Sequence, residues 1–171
     1  MVLKCNQHQP FPATEMDKPT PANPEPCPVA RSAGIVADRW SLLIVRDAFD
    51  GVRRFSDFQR SLGIARNILS DRLHRLLDAG ILAMQAGSGG GAHQEYALTA
   101  KGRSLFPVVV ALRQWGEHYL FGEGEAHSEL VEKKTGKRLR AMLPLADDGH
   151  AISSDETEVR KLGAAGAPQE R

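Results

Sequence analysis

The segment Gly51–Leu82, GVRRFSDFQRSLGIARNILSDRLHRLLDAGIL, constrains the fold more than any other stretch of this chain. Two short helical patterns flank a glycine-containing break, and the second carries Arg, Asn, Ser and His on one face. That arrangement is a helix-turn-helix with its second helix presented outward, which makes duplex DNA the leading candidate ligand.

Ser56 followed by Gln59 reads as a capping box, so a helix is expected from there to about Leu62, with Phe55, Phe58 and Leu62 pointing inward. Gly63 supplies the turn, because glycine takes left-handed backbone angles at little cost. The second helix is expected from Ala65 to Ala79, closing on Gly80. Leu69, Leu73, Leu76 and Leu77 form its inward stripe. Arg66, Asn67, Ser70, His74 and Arg75 lie opposite, with Asp71 and Arg72 on the flanks.

Arginine forks onto guanine, asparagine onto adenine, and Ser or Arg grips backbone oxygens. The candidate DNA contacts are therefore Arg53, Arg54, Arg66, Asn67, Ser70, Arg72, His74 and Arg75. Six arginines face two aspartates between residues 51 and 75, while the whole chain carries a net charge of only +1. The basic excess is thus local, unlike the mixed charge of an ordinary solvated helix. Asn67 and Arg66 are placed to read bases, and Ser70, Arg72 and Arg75 to hold phosphates.

Two strand-like runs follow, Ile81–Ala86 and His93–Leu98, joined by GSGGGA. This is a hairpin signal, the wing of a winged helix. A nucleotide-cradling loop would lead into a helix, often with a lysine, and this one does not. The tip has no Lys or Arg, so Gln85, His93, Gln94 or main-chain amides must supply any contact there.

Pro28 suits the first position of a helix whose inner face is Val29, Ala33 and Val36. Asp38 is placed to cap the next helix, Trp40–Phe49, which is apolar around most of its girth and is the expected centre of the core. From Thr99 to about Leu120 a long helix is expected, kinked early by Pro107. It carries Leu105, Val108, Val109, Leu112, Trp115 and Tyr119 at helical spacing, with Phe106 and Val110 extending the apolar surface. That surplus calls for a partner, and a symmetry mate is the usual one.

At 171 residues the chain has enough apolar content for one core. No run approaches the ~20 apolar residues of a membrane span, no signal pattern opens the chain, and a cytoplasmic location with no membrane partner is expected. Residues 1–26, rich in proline and without periodicity, read as a disordered leader. Residues 27–122 form the DNA-binding and dimerisation domain. Turn signals at Thr135-Gly136 and Asp147-Asp148-Gly149 divide residues 127–162 into a small β appendage with runs 138–143 and 158–162, and 163–171 form a flexible tail. The fold class is mainly α with a small β part: a winged helix-turn-helix, a long C-terminal dimerisation helix and the appendage.

The ordered series Cys27-Pro28-Val29, Trp40, Arg53-Arg54-Phe55-Ser56, Leu69-Ser70-x-Arg72-Leu73, Asp78-Ala79-Gly80-Ile81-Leu82, Tyr96-x-Leu98-Thr99-x-x-Gly102 and Trp115-Gly116 resembles the HxlR-type winged-helix regulators of bacteria and archaea. The resemblance covers about Cys27–Gly116. It implies a homodimeric repressor or activator that binds an operator and answers to a small-molecule inducer or thiol-reactive stress. Two features depart from the pattern. Ala65-Arg66 stands where relatives often place Ser-Pro, a weak cap costing on the order of 1 kcal/mol, and the basic wing is missing. Some relatives carry a C-terminal zinc ribbon; with no Cys beyond Cys27, a thiolate zinc site is excluded here.

No metal or cofactor is expected, since the six histidines fall in no ligand spacing and no Ser–His–acid set is visible, which argues against an enzyme. Cys27 precedes a helix N-terminus, where the dipole favours anions, with Arg31 one turn on. It is a candidate redox sensor, with Cys5 a possible resolving thiol; the alternative is a small packing residue. The competing functional reading is a winged-helix protein-interaction module without specific DNA binding, and the two separate on salt dependence.

Overall fold

The computed structural model describes residues 27–87 and 94–161. The leader 1–26 with Cys5, the wing tip and the expected tail 163–171 lie outside the described residues. The elements run α1 (Pro28–Val36), α2 (Arg39–Phe49), α3 (Phe55–Leu62), α4 (Arg66–Asp78), β1 (Leu82–Ala86), β2 (Gln94–Leu98), α5 (Ala100–Arg103) and α6 (Phe106–Tyr119). A 3₁₀ turn, Ser154–Glu156, follows.

Helix α2 is the hub, touching α1, α3, α4, α6 and β2. Asp38 caps it: Oδ1 accepts from the backbone N–H groups of Trp40 and Ser41, each at 3.1 Å. Ile44, Val45 and Ala48 of α2 meet Phe58 of α3 and Leu69, Leu73 and Leu76 of α4 in one buried cluster, joined by Ile64, Ile81, Leu82 and Leu98. Two polar residues, Ser41 and Asp47, are buried on α2 as well. Of the inner face expected on α1, only Val36 is buried; Val29 is 75% exposed.

Strands β1 and β2 pair antiparallel, with Leu82 opposite Leu98 and Met84 opposite Tyr96. The backbone N–H of Tyr96 donates to the Arg53 carbonyl at 2.8 Å, which ties the segment before α3 to the wing.

Three local expectations are corrected. Helix α3 starts at Phe55 with Arg54 as its N-cap and no side-chain cap bond, so Ser56 and Gln59 form no capping box. Ser56 is the second residue of the helix, past the position from which a cap acts. The helix expected over Thr99–Leu120 is two helices. The Thr99 hydroxyl accepts from Gly102 N–H and caps the four-residue α5. Pro107 then sits in the first turn of α6, where its missing N–H is harmless. Finally, among the described residues, 138–143 and 158–161 form no strand. Beyond β2 the β structure among the described residues is two isolated bridges, Val131 with Arg138 and Leu145 with Ala151. The turns between them are as expected, with positive φ at Gly136 and Gly149.

This C-terminal segment has scarcely any core of its own and is held along α6 by polar side chains. Gln114 donates from Nε2 to the Arg140 carbonyl at 2.9 Å and accepts from the Met142 N–H at 2.8 Å. Arg113 donates to the Ser128 carbonyl at 2.8 Å and to its hydroxyl at 3.0 Å. Val110 is buried, not part of the open surface as expected from the sequence. It lines a cleft with Leu130, Leu139 and Ala141 of the segment. Among the described residues no helix is long and apolar enough to cross a membrane.

Candidate nucleic-acid interface

The tight connection between α3 and α4 rests on Gly63, the α3 C-cap, whose φ of 59° is left-handed. It aims the N-terminus of α4 away from the core. Ala65 caps α4 without any side-chain bond, so the first amides of that helix have no side chain from the cap to satisfy them. Amides in that state, with the helix dipole behind them, suit a phosphate oxygen.

Arg66, Asn67, His74 and Arg75 are exposed and Ser70 is half-exposed, so α4 brings five of the eight expected contacts onto its outer surface. The Arg66 guanidinium lies over the Phe55 ring at 5.3 Å from its centroid, which anchors it at the mouth of the turn. His74 Nδ1 is 2.7 Å from the Ser70 carbonyl one turn back. Ile68, 37% exposed, is an apolar residue on this surface that the polar pattern had hidden. An apolar side chain there suits contact with a thymine methyl.

The arginines are less free than a charge count implies. Asp71 Oδ2 gathers two of them, Arg75 Nε at 3.1 Å and Arg72 Nη1 at 2.9 Å. Arg60 pairs with Asp57 at 3.2 Å. Arg54 reaches Glu95 at 3.2 Å, a carboxylate buried on β2, outside the basic segment 51–75. Arg53 donates from Nη1 to the Ala48 carbonyl at 2.8 Å, closing the C-terminus of α2. Arg66 has no acid partner among the described residues.

Behind this surface the wing is braced on α3, with Tyr96 edge-on to Phe58 at 6.2 Å between centroids. Burial pushes the Tyr96 phenol above its ordinary pKa. The other expected site residue, Cys27, is the N-cap of α1; it is a free thiol, partly buried, and its Sγ lies 3.5 Å from the Ala30 N–H. A separate cleft of about 340 Å³ lies between α2 and α6, lined by Leu42, Leu43, Val109, Leu112, Arg46 and His127 among others.

An outward helix after a glycine turn, backed by a three-helix core and a two-stranded wing, defines a winged helix-turn-helix protein. The family model described as HxlR-like helix-turn-helix matches residues 35–123, more than half of the chain. The chain belongs to this family of transcriptional regulators.

The uncharacterized HTH-type transcriptional regulator Rv3095 of Mycobacterium tuberculosis is 47% identical over 92 residues, 54% of this chain and 58% of that protein. The chain thus spans under two thirds of that relative's length. The regulator sll1512 of Synechocystis is 32% identical over 118 residues, 64% of this chain and 85% of that one. In solved structures, the candidate transcription factor PA1607 is similar at 48% identity with a TM-score of 0.75, covering 78% of this chain and 93% of that one. That coverage exceeds what residues 1–123 supply, so the likeness includes part of the C-terminal segment.

Proposed function

We propose that this protein is a homodimeric, sequence-specific DNA-binding repressor whose affinity is set by a small molecule or by thiol modification. The observation that carries the reading is the outward face of α4, where Arg66, Asn67, Ser70, His74 and Arg75 project beside a glycine turn. In this reading Arg66 and Asn67 read base edges in the major groove, while Ser70, Arg75 and the exposed Arg54 hold phosphates. Arg53 acts from behind, fixing the end of α2.

Dimerisation is supported by the apolar band Val108, Leu112, Trp115 and Tyr119 on α6, of which Trp115 is 55% exposed. A monomer in water rarely leaves such a band open. A two-fold pair would set two α4 helices about one helical turn apart, ~34 Å. The cleft between α2 and α6 is of a size and apolar character that suits a small effector, and it adjoins the band through Leu112. Cys27, at the N-terminus of α1, is the candidate thiol input.

Selection of duplexes from a random-sequence pool by the purified protein tests the reading. The expected outcome is an enriched motif of two inverted half-sites with centres one turn apart. Recovery of no enriched sequence would overturn it.

A further inference from the structure

Arg72 departs from the other arginines of α4. Only 23% of its side chain is exposed, and its Nε is fully buried at ion-pair distance, 3.1 Å, from Asp38 Oδ1 without forming a hydrogen bond to it. Nη1 lies 2.9 Å from Asp71 Oδ2 on the same helix. Asp38 is itself only 24% exposed, and the oxygen that faces Arg72 is the one that caps α2. One carboxylate oxygen thus ties the start of the hub helix to the middle of the recognition helix.

We infer that Asp38 and Arg72 are positioning residues, a clamp that sets the angle of α4 on α2 and so the register of Arg66 and Asn67 on DNA, with Arg72 not itself gripping a phosphate. The inference rests on the DNA-binding reading above. Its physical basis is directional. The leucine stripe of α4 packs on α2 but lets the helix pivot about the contact, since apolar packing has no preferred direction. A charge pair at one edge of that contact removes the pivot. With Nε buried against Asp38 and Nη1 taken by Asp71, the guanidinium has little charge left for a phosphate.

Two variants separate the roles. Asp38→Asn keeps an equally good N-cap for α2 while removing the charge; Arg72→Gln removes the guanidinium. In the free protein, the backbone amide NMR shifts of α4 should move in Asp38→Asn, because the helix re-seats on α2 once the charge pair is lost. Unchanged α4 shifts would overturn the clamp whether or not the protein binds DNA. On the selected operator, each variant should lose about tenfold in affinity and the double variant no more, as expected for two residues acting through one contact. The slope of log affinity against log salt and the affinity for random duplex should stay at their wild-type values. If instead Arg72→Gln reduces the slope by about 0.9 and weakens all duplexes equally, with Asp38→Asn neutral, Arg72 is a phosphate contact and the inference fails. Absence of salt-dependent DNA binding by wild type would overturn the proposed function alone.

Discussion

A Cβ added to Gly102 would lie 2.1 Å from the carbonyl oxygen of Ile81. The same corner is stitched by Thr99, whose hydroxyl donates to the Gly80 carbonyl at 2.6 Å while accepting from Gly102 N–H at 3.0 Å. Helix α5 therefore sits directly on the end of α4 and the start of the wing, and only glycine permits the approach. The contact is with backbone, which cannot swing aside.

Gly102→Ala is expected to destabilise the protein by about 1–3 kcal/mol, as overpacking does. Gly34→Ala is the control: its Cβ would meet nothing within 4 Å, and it lies inside α1. There alanine should be neutral or stabilise by up to about 1 kcal/mol through helix propensity. Urea melts of the two variants check both signs.

Charge placed on the α6 band should break the proposed dimer. Leu112→Glu with Trp115→Glu is expected to yield a monomer by light scattering, or insoluble protein. An unaltered dimer would assign the interface elsewhere.

Much of the DNA-binding half was legible because its signals are local. Leucines at helical spacing on α4, the left-handed Gly63 and the cap at Asp38 each act within one turn of chain, and all three stand in the structure as expected. The sequence misled where a local signal met a tertiary one. Ser56 and Gln59 have capping-box spacing, but Tyr96 binds the Arg53 carbonyl and α3 is capped at Arg54, two residues before Ser56. Glu95 and Asp38, the acids that engage Arg54 and Arg72, are 41 and 34 residues away in sequence, beyond any charge count made along one segment. Val110 looks like one more exposed apolar residue until the segment pinned by Gln114 covers it.

The C-terminal segment should loosen in acid before the core does. Hydrogen bonding to Arg138 lowers the Glu129 pKa, the His150 backbone and ring lower that of Asp148, and Ser153 lowers those of Asp155 and Glu156. A carboxyl depressed in the folded state stabilises it fully above its unfolded pKa, roughly 4, and that contribution is lost as pH falls through the folded value. Amide exchange within residues 127–161 should therefore rise on going from neutral pH to the depressed range, after correction for the intrinsic rate, while α2 and α4 stay protected. Equal protection of the segment at both pH values would show that these bonds do not hold it.

Cys27 supplies a conditional prediction. Wild type treated with diamide or a quinone should lose operator affinity, and Cys27→Ser should not respond. If both proteins respond alike, or neither does, Cys27 is a packing residue and the thiol input is removed from the account.

The most direct test of the central claim is the affinity of wild type, Asn67→Ala and Arg66→Ala for operator and random duplex across a range of salt. The account predicts that wild-type affinity falls linearly in log–log form with salt, as counterion release requires. It predicts that Asn67→Ala costs about 1–3 kcal/mol on operator only. Arg66→Ala should likewise weaken operator more than random duplex, as the proposed base-reading role of this arginine requires. Equal losses on every sequence would contradict the assignment of α4 as the reading helix, and salt-independent binding would contradict recognition of DNA through this face.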